Sequence, residues 1–476
     1  MAAMTGVGNE ELAFAGVARL AELIRAREVT PRELVELYLG RIARLNPRLN
    51  AFVSIRADQA LAEADAALAR LRAGQAGALL GVPVVVKDNV DIAGEVTTHG
   101  TVAQQSPAVA DAEVVRRLRA AGTPILGKTT LPELATCGQL TESPTYGVTR
   151  NPWDPARSAG GTSGGTAVAV AAGLAPVGLG ADGAGSIRVP AAFCGLFALA
   201  PTRGRISTMP DPEHLHGLTV FGGLARSVLD AALFDDALRG SARGDLHAPP
   251  EPHSSFAHAA GREPSRLRIA VSLKGMIHGI RPGPAARAAV EQTAELLRSL
   301  GHQIAEQNPR YGQLANGIAI RSLAGIADDA AKLDHPDLLG NRARQMAALG
   351  RRAHGRLLRR AKRRELPAAR RVNAIFADHD LLLTPVTAVQ PALIEKWHDA
   401  GMIRTLLGGS AYVTYTAPWN YLGQPAASIP AGLDETGLPT AIQLAGPPGS
   451  ETTIISLAAQ LERARPWAHL TPPLAR

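Results

Sequence analysis

The sequence predicts an α/β protein in which helices surround a mixed β-sheet. Two observations carry this. Between Val82 and Thr202, short apolar runs alternate with helical stretches and glycine-rich loops, as when strands and helices interleave in one sheet. Towards both ends of the chain the apolar residues recur at helical spacing instead. With 476 residues, 46% of them hydrophobic, the chain can bury a large core, and its length alone allows two or three domains.

Residues 10–26 and 30–45 read as amphipathic helices. The second opens with Thr30-Pro31-Arg32-Glu33, a capping box with proline at the first helical position, and is expected to stop before Asn46-Pro47. A third helix is expected over 56–73. The run Val82 to Val86 has the composition of a short buried strand, with Lys87 at its exit. Ala167 to Leu174 reads as a buried helix fed by the loop Ser158–Thr166 and stopped by Gly-Leu-Ala-Pro. Residues 245–380 look helical and Arg-rich. Trp419 to Leu444 should return to strands, and 450–464 should form a last amphipathic helix. No internal repeat or low-complexity tract is present.

Three segments carry candidate chemistry. Gly178 to Pro190 holds Ser186 in a loop of glycine and alanine, where unobstructed N–H groups beside a hydroxyl can stabilise an oxyanion. A plain glycine-rich turn is the alternative. Lys87 is the second candidate. Only six of the 50 cationic residues are lysines. Arginine stays protonated in a protein, whereas a lysine at the end of a buried strand can be desolvated until its neutral amine acts as a base. The third segment, Ser158 to Thr166, places adjacent hydroxyls Thr162 and Ser163 between paired glycines.

Together, Val86-Lys87-Asp88-Asn89, Gly160-Gly161-Thr162-Ser163-Gly164-Gly165 and Asp182 through Pro190 resemble the amidase signature family. The resemblance extends from Lys128-Thr-Thr-Leu-Pro-Glu133 to Asn151-Pro-Trp-Asp-Pro155. It continues over Ala191–Thr202 and Gly222–Ala231, then resumes near Leu383-Thr384-Pro385 and from Pro418 onward. Little of it covers 245–380.

Motifs so widely spread favour one large α/β domain over 1–476. Within it the expected parts are N-terminal helices over 1–75, a catalytic core over 80–205, and a variable helical lobe over 245–380 that shapes the pocket.

The family implies a Ser–cis-Ser–Lys triad. Carried over, Ser186 is the nucleophile, Lys87 the base and Thr162 the bridging hydroxyl, with a cis peptide bond at Gly161–Thr162. The family usually has serine at the bridge, so Thr162 is a departure. Threonine keeps the hydroxyl and adds a methyl that stiffens the side chain. The implied oxyanion donors are the N–H groups of Gly183, Ala184, Gly185 and Ser186. Ala184 stands where the family has a second glycine, which puts the width of the hole in question. Asp182 and Arg188 flank the loop and are expected to pair and fix its shape, with Ser163 as further support. A clamp on a substrate carboxylate is the rival role for Arg188. The resemblance places Thr136, Cys137 and Gly138 along the acyl pocket; a small buried hydrophobe is the alternative for Cys137. A lysine base must fall from about 10.4 to 7–8, which burial can supply.

Other readings fit less well. Gly161-Thr-Ser163-Gly-Gly165 matches a nucleophile elbow, but that assignment leaves Lys87 and Ser186 unexplained. Gly178-Leu-Gly180-Ala-Asp-Gly183 matches a dinucleotide fingerprint. It lacks the acidic residue that would hold a ribose, and Arg188-Val-Pro190 is not expected to open a helix. Glu213-His214-Leu-His216 lacks the i, i+4 spacing of a zinc helix and reads as a loop near the pocket mouth. No metal or cofactor is expected, and two distant cysteines suggest neither a metal site nor a disulfide scaffold.

Net charge is +8, with a basic cluster from Arg351 to Arg371. The cluster contains no stacking aromatics, so a solvated helix face is expected in place of a nucleic-acid site. No apolar run reaches membrane-spanning length, and Glu10 and Glu11 spoil a signal-peptide reading, so a cytoplasmic protein is expected. A homodimer is compatible with the sequence.

Three functions follow. The favoured one is a hydrolase of a small amide, anilide or carbamate. The others are the amidotransferase subunit of a tRNA-dependent complex and a binding protein whose catalysis is impaired through Thr162 and Ala184.

Overall fold

The computed structural model describes residues 8–475. In chain order its strands are β1 (Phe52–Ile55), β2 (Val84–Lys87), β3 (Ile125–Thr129), β4 (Glu142–Ser143), β5 (Gly147–Val148), β6 (Val177–Asp182) and β7 (Phe197–Ala200). They continue with β8 (Val220–Ala225), β9 (Arg268–Val271), β10 (Gln303–Glu306), β11 (Leu381–Pro385), β12 (Ala426–Leu433) and β13 (Pro439–Ala445). Eleven of them build one mixed sheet in the order β1-β3-β2-β6-β8-β7-β12-β13-β11-β9-β10, while β4 and β5 pair separately. Helices surround the sheet, and the whole is a single α/β domain.

The order of the central strands positions the site. Every residue of β2, β3 and β6 is buried, as expected for strands covered on both faces. β2 runs parallel to both β3 and β6. Parallel neighbours deliver their last residues to one edge of the sheet, so Lys87, ending β2, and Asp182, ending β6, emerge together.

The capping box is formed: Thr30 accepts from the Glu33 N–H, and the Glu33 side chain reaches back to Thr30. That helix does not stop before Asn46-Pro47. It runs over Pro31–Leu49 with Pro47 inside its last turn, where the lost N–H costs one bond. Asn50, at φ 51°, closes the turn, and Asn46 Oδ1 accepts from the Ala51 N–H at 2.7 Å. The first helical stretch is two helices, Asn9–Phe14 and Gly16–Arg25. The break lies at Gly16 (φ +75°), whose backbone packs on the Asp230 carboxylate so closely that no Cβ fits. The third helix, Ala57–Arg72, lies where expected.

Three further expectations change. Residues 245–380 are mostly helical, yet they also contribute β9 and β10 to the sheet; four-residue strands are too short to show a period. Trp419 lies in a helix, Ala417–Leu422, and strands begin only at Ala426. Arg188-Val-Pro190 does open a helix, Arg188–Cys194. Pro190 falls in its first turn, where a missing N–H is tolerated. The buried helix expected over Ala167–Leu174 is shifted to Gly164–Ala171, starting at the glycines and ending before Gly173, and Glu451–Ala464 is the last long helix. The arginines from Arg351 to Arg371 lie on an exposed face, as a solvated cluster should. Among the described residues, no helix is long and apolar enough to cross a membrane.

Candidate active site

Lys87 is 1% exposed, and its Nζ donates to Thr162 Oγ1 at 2.6 Å and to the Ala181 carbonyl at 3.3 Å. Burial lowers its pKa to about 7, although the nearby Asp182 charge pulls the other way. A second buried lysine nearby makes the contrast. Lys128, on β3, pairs with Asp88 at 2.9 Å. Among the described residues Lys87 forms no such ion pair, so desolvation governs it.

The Thr162 hydroxyl is held by a tightly packed loop. The Gly161–Thr162 peptide is cis. A Cβ on Gly161 would sit 2.8 Å from the Cys137 carbonyl, and one on Gly164 would fall on the Thr141 hydroxyl. Ser163 ties this loop to its neighbours. Its N–H donates to the Ser186 carbonyl at 3.0 Å, and its hydroxyl donates to the Ala181 carbonyl at 3.2 Å. Ser163 is 0% exposed, which rules it out as a nucleophile at an elbow.

Ser186 is half-buried in the turn between β6 and the helix Arg188–Cys194. The Asp182 carboxylate organises this turn by accepting from the N–H groups of Gly185 (2.5 Å), Ile187 (3.1 Å) and Arg188 (3.3 Å). Gly185 is thereby removed from the expected oxyanion donors, because its N–H already has an anionic partner. The N–H groups of Gly183, Ala184 and Ser186 have no partner among the described residues. Gly185 is needed for its shape: φ is +122°, and a Cβ would lie 2.7 Å from Thr416 Cβ. Ala184 is not at positive φ, so the alanine fits without strain, and its carbonyl accepts from Thr416 Oγ1 at 2.7 Å.

Asp182 and Arg188 are both fully buried and pair at 3.0 Å. Arg188 Nε and Nη2 donate to Asp182, Nη2 also to Asn420 Oδ1, and Nη1 to the Thr416 carbonyl and Gln443 Oε1. Every N–H of the guanidinium is used, which leaves none for a substrate carboxylate. Burial alone would raise the Asp182 pKa, but the Arg188 charge and the hydrogen bonds hold it down at about 2. Thr416, Asn420 and Gln443 escaped the sequence reading, since nothing local in their segments signals a contact with a loop more than 200 residues earlier.

The Cys137 carbonyl and Gly138 lie against Gly161. Thr136 Oγ1 donates to the Glu133 carbonyl at 2.8 Å. Cys137 is 1% exposed among Leu140, Phe193 and Tyr412, and burial raises its thiol pKa. It packs, and offers no open surface. Leu215 leans on Gly183, where a Cβ would meet its Cδ1 at 2.8 Å. Leu215 lies in the short turn His214–Gly217, where Leu215 and His216 have left-handed, non-helical φ/ψ, in keeping with the loop expected there. A cavity of about 600 Å³ is lined by Asn89, Asp91, His99, His214 and Asp329, and by none of Lys87, Thr162 and Ser186.

The dinucleotide alternative fails here too. The helix after the turn has seven residues, and the Asp182 carboxylate occupies its first N–H groups.

This arrangement puts a desolvated amine, a buried hydroxyl and a serine backed by free N–H groups on one sheet edge. The sequence pattern described as Amidase matches residues 33–455. The chain belongs to the amidase signature family. As a member it is an amidase, a hydrolase of amide C–N bonds. It is 46% identical over 468 residues to the protein named "Putative amidase AmiB2" of Mycobacterium tuberculosis (strain ATCC 25618 / H37Rv), covering 98% of this chain and 99% of that one. It is 33% identical over 482 residues to the 6-aminohexanoate-cyclic-dimer hydrolase of Pseudomonas sp. (strain NK87), with 95% of each chain covered. The structure of a 6-aminohexanoate cyclic dimer hydrolase complexed with substrate superimposes with a TM-score of 0.91 at 30% identity, over 98% of this amidase and 100% of that chain.

Proposed function

We propose that this amidase cleaves small amides through an acyl-enzyme on Ser186, with Lys87 as base and Thr162 as proton relay. The observation that carries the reading is the 2.6 Å contact between Lys87 Nζ and Thr162 Oγ1, made by a lysine whose pKa burial lowers to about 7. Neutral Lys87 takes the Thr162 proton as Thr162 takes that of Ser186, and Ser186 Oγ bonds to the carbonyl carbon. The N–H groups of Gly183, Ala184 and Ser186 hold the oxyanion. The proton returns to the leaving amine as the C–N bond breaks, and water repeats the sequence to free the acid.

Apolar side chains lie beside the Ser186 turn: Leu215 leans on Gly183, and Ala184, Leu215, Ile277 and Val413 are half-buried against one apolar cluster, which favours an apolar acyl group. The 6-aminohexanoate-cyclic-dimer hydrolase at 33% identity and a bacterial aryl acylamidase with a TM-score of 0.83 at 26% identity suggest the panel. It comprises aliphatic amides, the 6-aminohexanoate cyclic dimer, anilides and aryl carbamates. Amine release should be measured for wild type and Ser186→Ala. Turnover that survives in Ser186→Ala would refute the nucleophile.

A further inference from the structure

We propose that His216, Asp328 and His354 form a binding site for a first-row transition-metal dication such as Zn²⁺, separate from the Ser186 site. Local spacing showed no partners for the imidazoles of His214 and His216, but the fold supplies them from distant elements. His216 lies in the turn His214–Gly217, Asp328 on the helix Leu314–Lys332, and His354 just past the helix Asn341–Ala353.

The geometry is that of a ligand set. His216 Nε2 lies 3.0 Å from Asp328 Oδ2, and His354 Nε2 lies 3.1 Å from Asp328 Oδ1. One ligand atom from each residue falls within 4.8 Å of the others. Zinc bonds of about 2.1 Å in a tetrahedron separate neighbouring ligand atoms by roughly 3.4 Å, so the two measured gaps need only small movements. The imidazole planes stand 79° apart with centroids at 5.7 Å, so the two rings do not stack. Two imidazoles and one carboxylate suit zinc and its neighbours in the first row, and leave a position for water.

Two further observations point to a ligand. His216 Nε2 is buried and, despite its closeness to Asp328, makes no well-directed hydrogen bond. A buried nitrogen whose 3.0 Å contact with a carboxylate is not aligned as a hydrogen bond is open to a metal ligand bond. Leu215 and His216 also hold φ of 49° and 54°, a left-handed backbone that side chains rarely adopt. Arg321 holds this turn by donating to the His216 carbonyl from Nε at 2.9 Å. The neighbouring cation, Lys362, is neutralised by Glu213 at 2.7 Å. Asp328 and His354 are 41% and 36% exposed, which leaves an ion a route from solvent. An ion bound here would anchor the residue next to Leu215, the side chain that leans on Gly183.

The test is direct binding to protein stripped with chelator and desalted. Zn²⁺ titration by calorimetry and Co²⁺ titration read in the visible should each show one ion per chain. Zinc should raise Tm in wild type. His354→Ala and Asp328→Asn should each weaken binding at least tenfold and abolish the zinc-dependent rise in Tm. Both positions are partly exposed, and far-UV circular dichroism of the metal-free variants checks their folding. His398→Ala is the control, because Glu142, His398 and Asp399 form the rival cluster. Absence of saturable binding in wild type, unchanged affinity in both site variants, or loss of binding in His398→Ala would overturn the proposal. No arm depends on amide turnover.

Discussion

Lys87 Nζ donates to Thr162 Oγ1 at 2.6 Å, from a lysine that no carboxylate pairs among the described residues. The adjacent strand shows the alternative, since Lys128 is neutralised by Asp88. Two buried lysines, one paired and one not, meet different electrostatic ends. Paired, a lysine is a structural cation; unpaired, it is driven towards the neutral amine.

The unpaired state predicts a pH profile. In the proposed mechanism neutral Lys87 is the active form, so kcat/KM should rise with pH through about 7 and then level off. Stability should follow the same group. Between about 7 and 10.5 the unfolded chain holds the Lys87 proton and the folded one does not, so stability rises with pH across that window. The penalty near neutrality is on the order of 4 kcal/mol. Lys87→Met should therefore abolish turnover and raise Tm by several degrees at pH 7. A variant that is inactive and also less stable would show that the amine is not held against a desolvation cost.

Thr162 tests the relay. Thr162→Ser keeps the hydroxyl and should hold kcat within about tenfold of wild type. Thr162→Ala removes it and should lower kcat by roughly 10²–10⁴ with little change in KM. Steady-state kinetics on one good substrate, with both variants at matched pH, separates these outcomes. Equal losses in both variants would assign the effect to packing, not to proton transfer.

The candidate site was legible because its chemistry is concentrated in short segments around Lys87, Thr162 and Ser186. What supports it was not. Thr416, Asn420 and Gln443 reach Arg188 across the fold, and a single polar residue carries no local sign of a partner that distant. Gly185 looked like one more donor because glycine advertises backbone freedom, while the direction of its N–H is set by Asp182. The sheet was foreseen where strands are apolar and flanked by loops, as at β2, and missed at β9 and β10, whose four residues include the polar or charged Arg268, Gln303 and Glu306. Pro47 and Pro190 misled for one reason: proline near a helix end breaks less than its usual reputation suggests.

Adjacent positions of the Ser186 loop should respond in opposite ways. A Cβ on Gly185 collides with Thr416 at φ +122°, so Gly185→Ala should lower both Tm and kcat sharply. Ala184→Gly keeps the N–H and only adds backbone freedom. It should cost about 0.5–1 kcal/mol of stability and change kcat by a few-fold at most. Thermal melts with kinetics on the two variants check this, and a large loss of kcat in Ala184→Gly would mean the alanine methyl itself shapes the hole.

The Asp182–Arg188 pair sets the acid limit of the fold. Asp182 falls from 3.8 to about 2 on folding, so it stabilises the native state above pH 3.8 and loses that contribution as pH drops through about 2. The contribution is about 2 kcal/mol at neutral pH. Removing one partner costs more than that, because the other is left charged and fully buried. Arg188→Met should destabilise by roughly 3–5 kcal/mol and disorder the Ser186 turn, since Asn420 and Gln443 lose their shared donor as well. Arg188→Lys should rescue little of this, because one ammonium cannot reproduce a five-donor fork. Denaturant melts of wild type and both variants, from pH 7 down to pH 2, read the comparison. Wild type should lose its advantage over Arg188→Met as Asp182 takes up its proton. A constant difference across that range would mean that the arginine acts by packing alone.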